Sequence, residues 1–353
     1  MKKIKFSICI PNYNYGHLIA KTIQSVLNQE YSNFEIIVSD NASTDNSINV
    51  INSFNDKRIK LFENKINIGF SANLDKASEH STGDYIVLLS SDDLINPKAL
   101  IEYENLIVKN NGLNDNLILM SGALIIDEND VFIGRKNAKT GDVIKYLNKK
   151  NIEKFVDEEK NIETYDGHLI LKSLLSGTFQ PAGQFLTTCF SRKLFHQVEG
   201  YRSNLTIYPD AHFSHKLLFC NPKVIYVNKY LFSYRVHGSN NLSQITSMKN
   251  VKNLTDNYII SQSYSEIDLK KIGLCVNDLI TTFIENIINK SAFFSVLRGK
   301  FTNSMRILSF GFAAYSILIF KSKYFFFTLL LIPFIPIIKL YYYFKQFNVS
   351  SND

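Results

Sequence analysis

Asp84-Tyr85-Ile86-Val87-Leu88-Leu89-Ser90-Ser91-Asp92-Asp93 carries an apolar run straight into two adjacent carboxylates. A short apolar run bounded by turn residues predicts a strand covered on both faces, as in parallel sheets. In open α/β sheets the ligand site lies just beyond the carboxyl ends of such strands. Adjacent acids repel each other, and a cation beside them relieves that repulsion. Carboxylate oxygens suit a hard divalent ion, Mg²⁺ or Mn²⁺, shared with substrate phosphates. Taken alone, the same pair also reads as a helix N-terminus, because Pro97 and a helical apolar pattern follow.

The flanking segments repeat the arrangement. Phe6 to Ile10 predict a strand that ends in Pro11-Asn12-Tyr13-Asn14, followed by a helical pattern through Leu18, Ile19, Ile23, Val26 and Leu27. Phe34 to Ser39 predict a second strand closing on Asp40, with a helix opening after Ser43 to Asp45. Arg58 to Phe62 predict a third, followed by Asn67-Ile68-Gly69 and a helix through Leu74 and Ala77. Tyr85 to Leu89 are the fourth. This alternation predicts an α/β fold with a mostly parallel central sheet flanked by helices. The polar clusters at 11–14, 40–45, 67–73 and 90–93 all close strands on one edge, which makes them one site. No Gly-x-Gly-x-x-Gly follows the first strand, which argues against a nicotinamide-dependent enzyme.

In order and spacing these segments resemble glycosyltransferase family 2, strongly over residues 5 to about 105 and traceably to about 240. The resemblance implies a Rossmann-like GT-A fold, a nucleotide-sugar donor with UDP as the expected nucleotide, a divalent metal, and inversion at the anomeric carbon. It implies a base and ribose surface made by Pro11, Asn12, Tyr13 and Asn67, with Asp40 accepting from a pyrimidine N–H. Ser91 and Asp92 would reach the ribose or a metal-bound water, and Asp93 the metal. Two positions depart from the pattern. Ser90 stands where an acid is common, and Ala72 stands where an arginine often precedes the asparagine at Asn73. The first departure keeps open a catalytically weak nucleotide-sugar-binding relative.

Inversion needs a base on the face opposite the leaving diphosphate. Tyr208-Pro209-Asp210 before the helical pattern Phe213, Leu217, Leu218 resembles the family's acidic element with proline replacing glutamate, so Asp210 is the expected base and Glu199 the reserve. Further on, Tyr234-Arg235-Val236-His237 resembles a family stretch in which Arg235 closes on the diphosphate and His237 ligates the metal. His212 and His215 have no partnering acid motif and are assigned no metal. Between these motifs, Leu117 to Ile126, Val131 to Gly134, Gln184 to Phe190 and Lys223 to Tyr230 predict strands, and Lys145 to Lys160 an acceptor-side loop.

A chain of 353 residues, 45% hydrophobic, holds an ordinary core plus an appendage. The expected division is 1–110 for the donor half, 111–240 for the acceptor half and 241–353 for a helical extension. Cys9, Cys189, Cys220 and Cys275 show no paired or metal-like spacing, consistent with reduced thiols, and the apolar stretch before Pro11 is too short for a signal-peptide core. After Glu285 come eight basic residues and one acid, Asp353, so this tail holds the whole net charge of +7. It also holds apolar stretches at Ile307 to Phe320 and Tyr324 to Ile338, separated by Lys321-Ser322-Lys323. Each is shorter than the roughly 20 residues a span needs. A basic, aromatic-rich helix pair lying in a membrane interface is the first reading, with a re-entrant segment, a true span, a core helix or a dimer surface as alternatives. Charge set among apolar runs argues against a nucleic-acid partner. The expectation is therefore a transferase at the cytoplasmic face of the inner membrane, acting on a glycan or lipid-linked glycan in surface polysaccharide biosynthesis. A protein or small-molecule acceptor is the alternative.

Overall fold

Four apolar runs build one half of the sheet: β1 (Phe6–Asn12), β2 (Phe34–Asp40), β3 (Ile59–Glu63) and β4 (Tyr85–Leu88). They lie side by side in the order β3-β2-β1-β4, all parallel. The computed structural model describes residues 3–110, 116–136, 143–145, 162–176, 188–201, 209–237 and 247–338. β1, β2 and β4 are buried at every position, as continuous apolar runs require in a sheet covered on both faces. The crossovers are α1 (Ile19–Leu27), α2 (Ser47–Asn52) and α3 (Phe70–Glu79). α1 buries Ile19, Thr22, Ile23 and Val26, spaced to share one helical face, against that sheet.

The rest of the first unit departs from strict alternation. It contains β5 (Leu94–Ile95), α4 (Ala99–Lys109), β6 (Leu117–Ile126), β7 (Phe132–Lys136), β8 (Val143–Lys145), β9 (Ile162–Asp166), α5 (Gly167–Leu175), β10 (Thr188–Ser191), α6 (Arg192–Gln197), α7 (Pro209–Phe219) and β11 (Lys223–Arg235). β10 enters antiparallel between β4 and β6, and β6 pairs parallel with β11. The central sheet is thus mostly parallel with one inverted strand, while β5 and β9 pair antiparallel with β11, and β7 and β8 extend antiparallel from β6. The expected strand at 184–190 is present from Thr188; its first four residues, and most of the expected 145–160 loop, lie outside the described residues. β11 outruns its expected end by five residues and shifts register around Tyr230. That bend lets it pair with β6 and still reach β5.

Full burial of β2 traps an acid. Glu35 accepts from Ser7 Oγ at 2.7 Å and Thr82 N at 2.7 Å, and pairs with Lys60 at 2.8 Å and Lys5 at 3.0 Å. Burial works against its charge, but the bonds from Lys60, Ser7 and Thr82 hold the carboxyl well below the usual carboxylate range. A depressed folded pKa stabilises above the unfolded value, and that stability is lost as pH falls through the folded one. Glu35→Gln is expected to lower stability at neutral pH and to flatten the acid limb of the unfolding profile, measured by urea melts across pH.

The main part of a second compact unit begins at Ile245. It is helical: α8 (Ser247–Gln262), α9 (Glu266–Lys271), α10 (Val276–Thr282), a π-helical Phe283–Asn289, α11 (Lys290–Leu297), α12 (Phe301–Tyr315), a 3-10 turn Ser316–Lys321, α13 (Lys323–Leu331) and a second 3-10 turn Ile332–Phe334. Its core gathers Leu254, Phe283, Ile284, Ile288, Ile307, Leu308, Ile319 and Phe325. Gly311 permits the closest approach, since a Cβ there would meet Ile288 Cγ2 at 2.6 Å and Ile319 Cδ1 at 2.7 Å. The two apolar stretches of the tail therefore part company. The first, expected in an interface, contributes Ile307, Leu308, Gly311 and Ile319 to this core, whereas most of the second is exposed. Among the described residues no helix is long and apolar enough to cross a membrane. α13 gives way at Ile332-Pro333, as proline in a helix interior dictates.

Candidate active site

Strand order reverses at β1, whose neighbours are β2 on one side and β4 on the other. The crevice at the carboxyl ends of such a pair is where open α/β sheets hold ligands. β1 ends on Asn12, β2 on Asp40, and the chain leaving β4 forms the Ser90–Asp93 turn. Pro11 faces β4 at a level where β4 has stopped pairing, so its missing N–H costs no ladder bond. Asp40 is fully buried. It accepts from Asn12 Nδ2 at 2.7 Å, Ser43 Oγ at 2.6 Å and Ser43 N at 2.8 Å. A carboxylate accepts about four bonds, so one position remains. Asn12 Oδ1 is buried with no hydrogen-bond partner. Asn67 Oδ1 receives Asn41 Nδ2 at 2.8 Å and Gly69 N at 2.9 Å. Asn73, the first-turn residue after Gly69, donates to Ser39 O at 2.9 Å and accepts from Ser39 Oγ at 2.8 Å. Asn14 and Ala42, in the loops after β1 and β2, take left-handed backbone at φ 59° and 62°. Strained non-glycine backbone collects at such ligand edges. Tyr13 is 43% exposed, which leaves its ring available as a stacking surface.

β5 brings the acids and the end of β11 together, because Leu94 and Ile95 pair with Ser233 and Phe232. Three residues beyond Tyr234, the His237 ring stands with Nε2 at 2.9 Å from Asp92 Oδ2. Asp93 turns inward, and its Oδ1 accepts the Arg235 backbone N–H at 2.7 Å. Burial, then the adjacent Asp92 charge, push the Asp93 carboxyl well above the usual range. Thr22 Oγ1 of α1 donates to Ser91 O at 2.9 Å and fixes the turn from the other side. Tyr15 and Tyr234 lie near enough to feel the charge of the pair. Burial raises both hydroxyls to about 12, helped by the charges of Asp92 and Asp93. The Tyr15 ring also meets His237 edge-on at 5.8 Å.

Arg235 departs from the expectation that it closes on a diphosphate. Its side chain is fully buried; Nε donates to Asp92 O at 2.7 Å, Nη1 donates to Asp127 O at 3.0 Å, and the guanidinium pairs with Asp130. It pins the acid turn to the β6–β7 hairpin from beneath. A side chain's direction at a strand end follows from register, and sequence spacing alone does not carry it.

Asp210 sits half-buried in the first turn of α7, where its charge helps raise the Tyr201 hydroxyl after the larger effect of burial. Tyr201 stacks on Phe213 at 3.8 Å, and its N–H donates to Asp75 of α3. Glu199, the reserve base, lies exposed in a left-handed turn at φ 57° after α6. His215 is buried, and burial, with His212 nearby, lowers its pKa to about 4. The sequence reading passed over Tyr15, Asn41, Ser43 and Asn73. Their signal was position, since all four fall inside the four polar clusters or next to them.

A divalent cation fits this donor set. Asp92 offers a hard oxygen and His237 a nitrogen at the same point, with a second carboxylate, Asp93, next in the chain. Among the described residues no group of three or more His, Cys, Asp or Glu converges on one point. Such a cation therefore needs water and substrate phosphate to complete its shell, the usual arrangement for Mg²⁺.

Comparison with known proteins agrees with this geometry. The family description "Glycosyl transferase family 2" matches residues 7–174. The UDP-Glc:alpha-D-GlcNAc-diphosphoundecaprenol beta-1,3-glucosyltransferase WfgD of Escherichia coli is 34% identical over 129 residues, 36% of this chain and 49% of that protein. An uncharacterized glycosyltransferase of Haemophilus influenzae is 42% identical over 106 residues, 30% of this chain and 42% of its own. The chain thus spans about half the length of these curated relatives. Among solved structures, S. aureus TarS 1-349 in complex with UDP-GlcNAc superposes with a TM-score of 0.52 at 16% identity, covering 90% of each chain. At that identity the likeness speaks for the fold.

Proposed function

Through residues 7–174 the chain belongs to glycosyl transferase family 2, and from that premise we propose that it is an inverting, metal-dependent transferase using a UDP-sugar. The observation that carries the reading is the meeting of two half-sites at one strand switch point. One is the Asn12–Asp40–Ser43 cradle, with an acceptor position left open; the other is the Asp92–His237 pair. In this reading Asp40 takes the pyrimidine N–H, Pro11, Tyr13 and Asn67 line base and ribose, and Ser91 helps hold the turn. Asp92 and His237 bind Mg²⁺ or Mn²⁺, which supplies positive charge to the leaving diphosphate. The sequence reading gave the cation to Asp93. Its inward turn supports a holding role for Asp93, with Asp92 as the acid facing His237. Asp210 takes the proton of the acceptor hydroxyl as that oxygen bonds to the anomeric carbon and the bond to diphosphate breaks.

We take the acceptor to be a glycan or lipid-linked glycan in surface polysaccharide assembly, at the cytoplasmic face of a membrane. The diphosphoundecaprenol acceptor in the name of the E. coli relative supports that choice, together with the basic, apolar tail of this chain. Calorimetry with UDP, once with Mn²⁺ and once with EDTA, tests the core of the proposal. UDP binding strengthened by the cation is expected. Absence of UDP binding under both conditions would overturn it.

A further inference from the structure

The helical unit carries an apolar surface at odds with a water-facing role. Along α13 and the turns after it, Phe326, Leu330, Phe334 and Ile337 are 54%, 67%, 54% and 64% exposed. Their spacing of four, four and three is that of one helical face. Phe327 and Leu329 widen the face, and Phe325 and Thr328 on the opposite side anchor α13 in the unit. Aromatic rings extend it from Phe327 to Phe293 and Tyr324, while Phe325 packs beneath on Phe320 and Phe312. Scattered exposed apolar residues are ordinary, whereas a contiguous set of this size marks an interaction surface. Along the sequence that surrounds this face the charge has one sign. Arg298, Lys300, Arg306 and Lys323 are exposed, and no acid occurs from Asn286 to Asn352.

We propose that this face of α13 docks on an anionic phospholipid surface, inserting shallowly with the cations against the headgroups. Among the described residues no helix is long and apolar enough to span. Nine residues of α13 measure about 14 Å at 1.5 Å per residue, against ~30 Å of hydrocarbon. Charge disfavours a second copy, since a two-fold contact sets the same cations against themselves. Tyr324 beside Lys323 at the start of the face is the aromatic-plus-basic pairing found at membrane interfaces. The docking stands apart from the chemistry of the sheet unit; only its use, meeting a lipid-linked acceptor, rests on the reading above.

The test uses the full chain and two vesicle types, phosphatidylglycerol mixed with phosphatidylcholine, and phosphatidylcholine alone. Sedimentation with the anionic vesicles is expected, with partition weaker by roughly tenfold or more on the neutral ones. The variant Phe326→Ser/Leu330→Ser/Phe334→Ser/Ile337→Ser alters exposed positions only. It is expected to lose anionic-vesicle binding by more than about tenfold while binding UDP as the parent does. High salt is expected to release only part of the parent protein, because apolar insertion is not screened. Unchanged vesicle binding by the serine variant would overturn the proposal. So would a parent that ignores both vesicles, and a dimer dispersed by the variant would then identify a second copy as the occupant. Vesicle binding without UDP binding would instead count against the transferase reading and leave the docking intact.

Discussion

Asp210→Asn is expected to bind UDP with unchanged affinity and to turn over roughly 10²–10⁴-fold more slowly, the usual contribution of a positioned general base. The substitution keeps shape and hydrogen-bonding capacity and removes the ability to accept the acceptor's proton. Asp210 sits in the first turn of α7, held near Tyr201, which is itself tied to Asp75 of α3. α3 is the helix that opens at Gly69 beside the donor cradle. The first turn of α7 presents Asp210 from a helix, the kind of rigid element on which a base is kept in place. Two measurements separate catalysis from packing: UDP affinity by calorimetry, and turnover with a saturating natural acceptor. Near-normal turnover would reduce Asp210 to a first-turn acid that favours the helix, and Glu199→Gln is the next variant to test. A parallel loss of UDP affinity and turnover would point to a collapsed site.

How far the sequence carried can be traced residue by residue. β1, β2 and β4 were legible because burial on both faces forces unbroken apolar runs, β3 through Ile59, Leu61 and Phe62, and their polar ends named one edge. β6 was read at its full length, since Leu117 to Ile126 is one such run. β5 was not, because two residues carry no periodicity, yet this short strand brings the end of β11 to the acids. The inversion of β10 was equally hidden, since strand direction is set by where the chain returns. At two motif residues packing sets an orientation that spacing does not carry. Arg235 points under the acid turn, and Asp93 points toward Arg235. The tail shows the same limit. Two stretches of like composition separate into core and surface only when packing assigns Ile307 and Ile319 inward and Leu330 and Ile337 outward.

Asp92→Asn is expected to abolish most of the cation-dependent gain in UDP affinity and most of the turnover. His237→Ala is expected to weaken the same gain less completely. Asp92 and His237 present their polar atoms to one point, 2.9 Å apart. An asparagine there retains an oxygen and loses the charge that attracts a divalent ion. Asp93→Asn discriminates between the two acids, because an asparagine still accepts the Arg235 N–H through its own oxygen. If Asp93 only holds the turn, its variant keeps a clear difference between UDP binding in Mn²⁺ and in EDTA. If the cation rests on Asp93, that difference disappears in Asp93→Asn and survives in Asp92→Asn, reversing the assignment. Titrating Mn²⁺ at fixed UDP in the three variants reads cation affinity directly and does not depend on identifying the acceptor. Ser90, standing where the family often has an acid, removes one charge from the same turn. Ser90→Asp is therefore expected to tighten Mn²⁺ in the parent and to restore part of it in Asp92→Asn, since each added carboxylate beside the cation contributes attraction of the same kind.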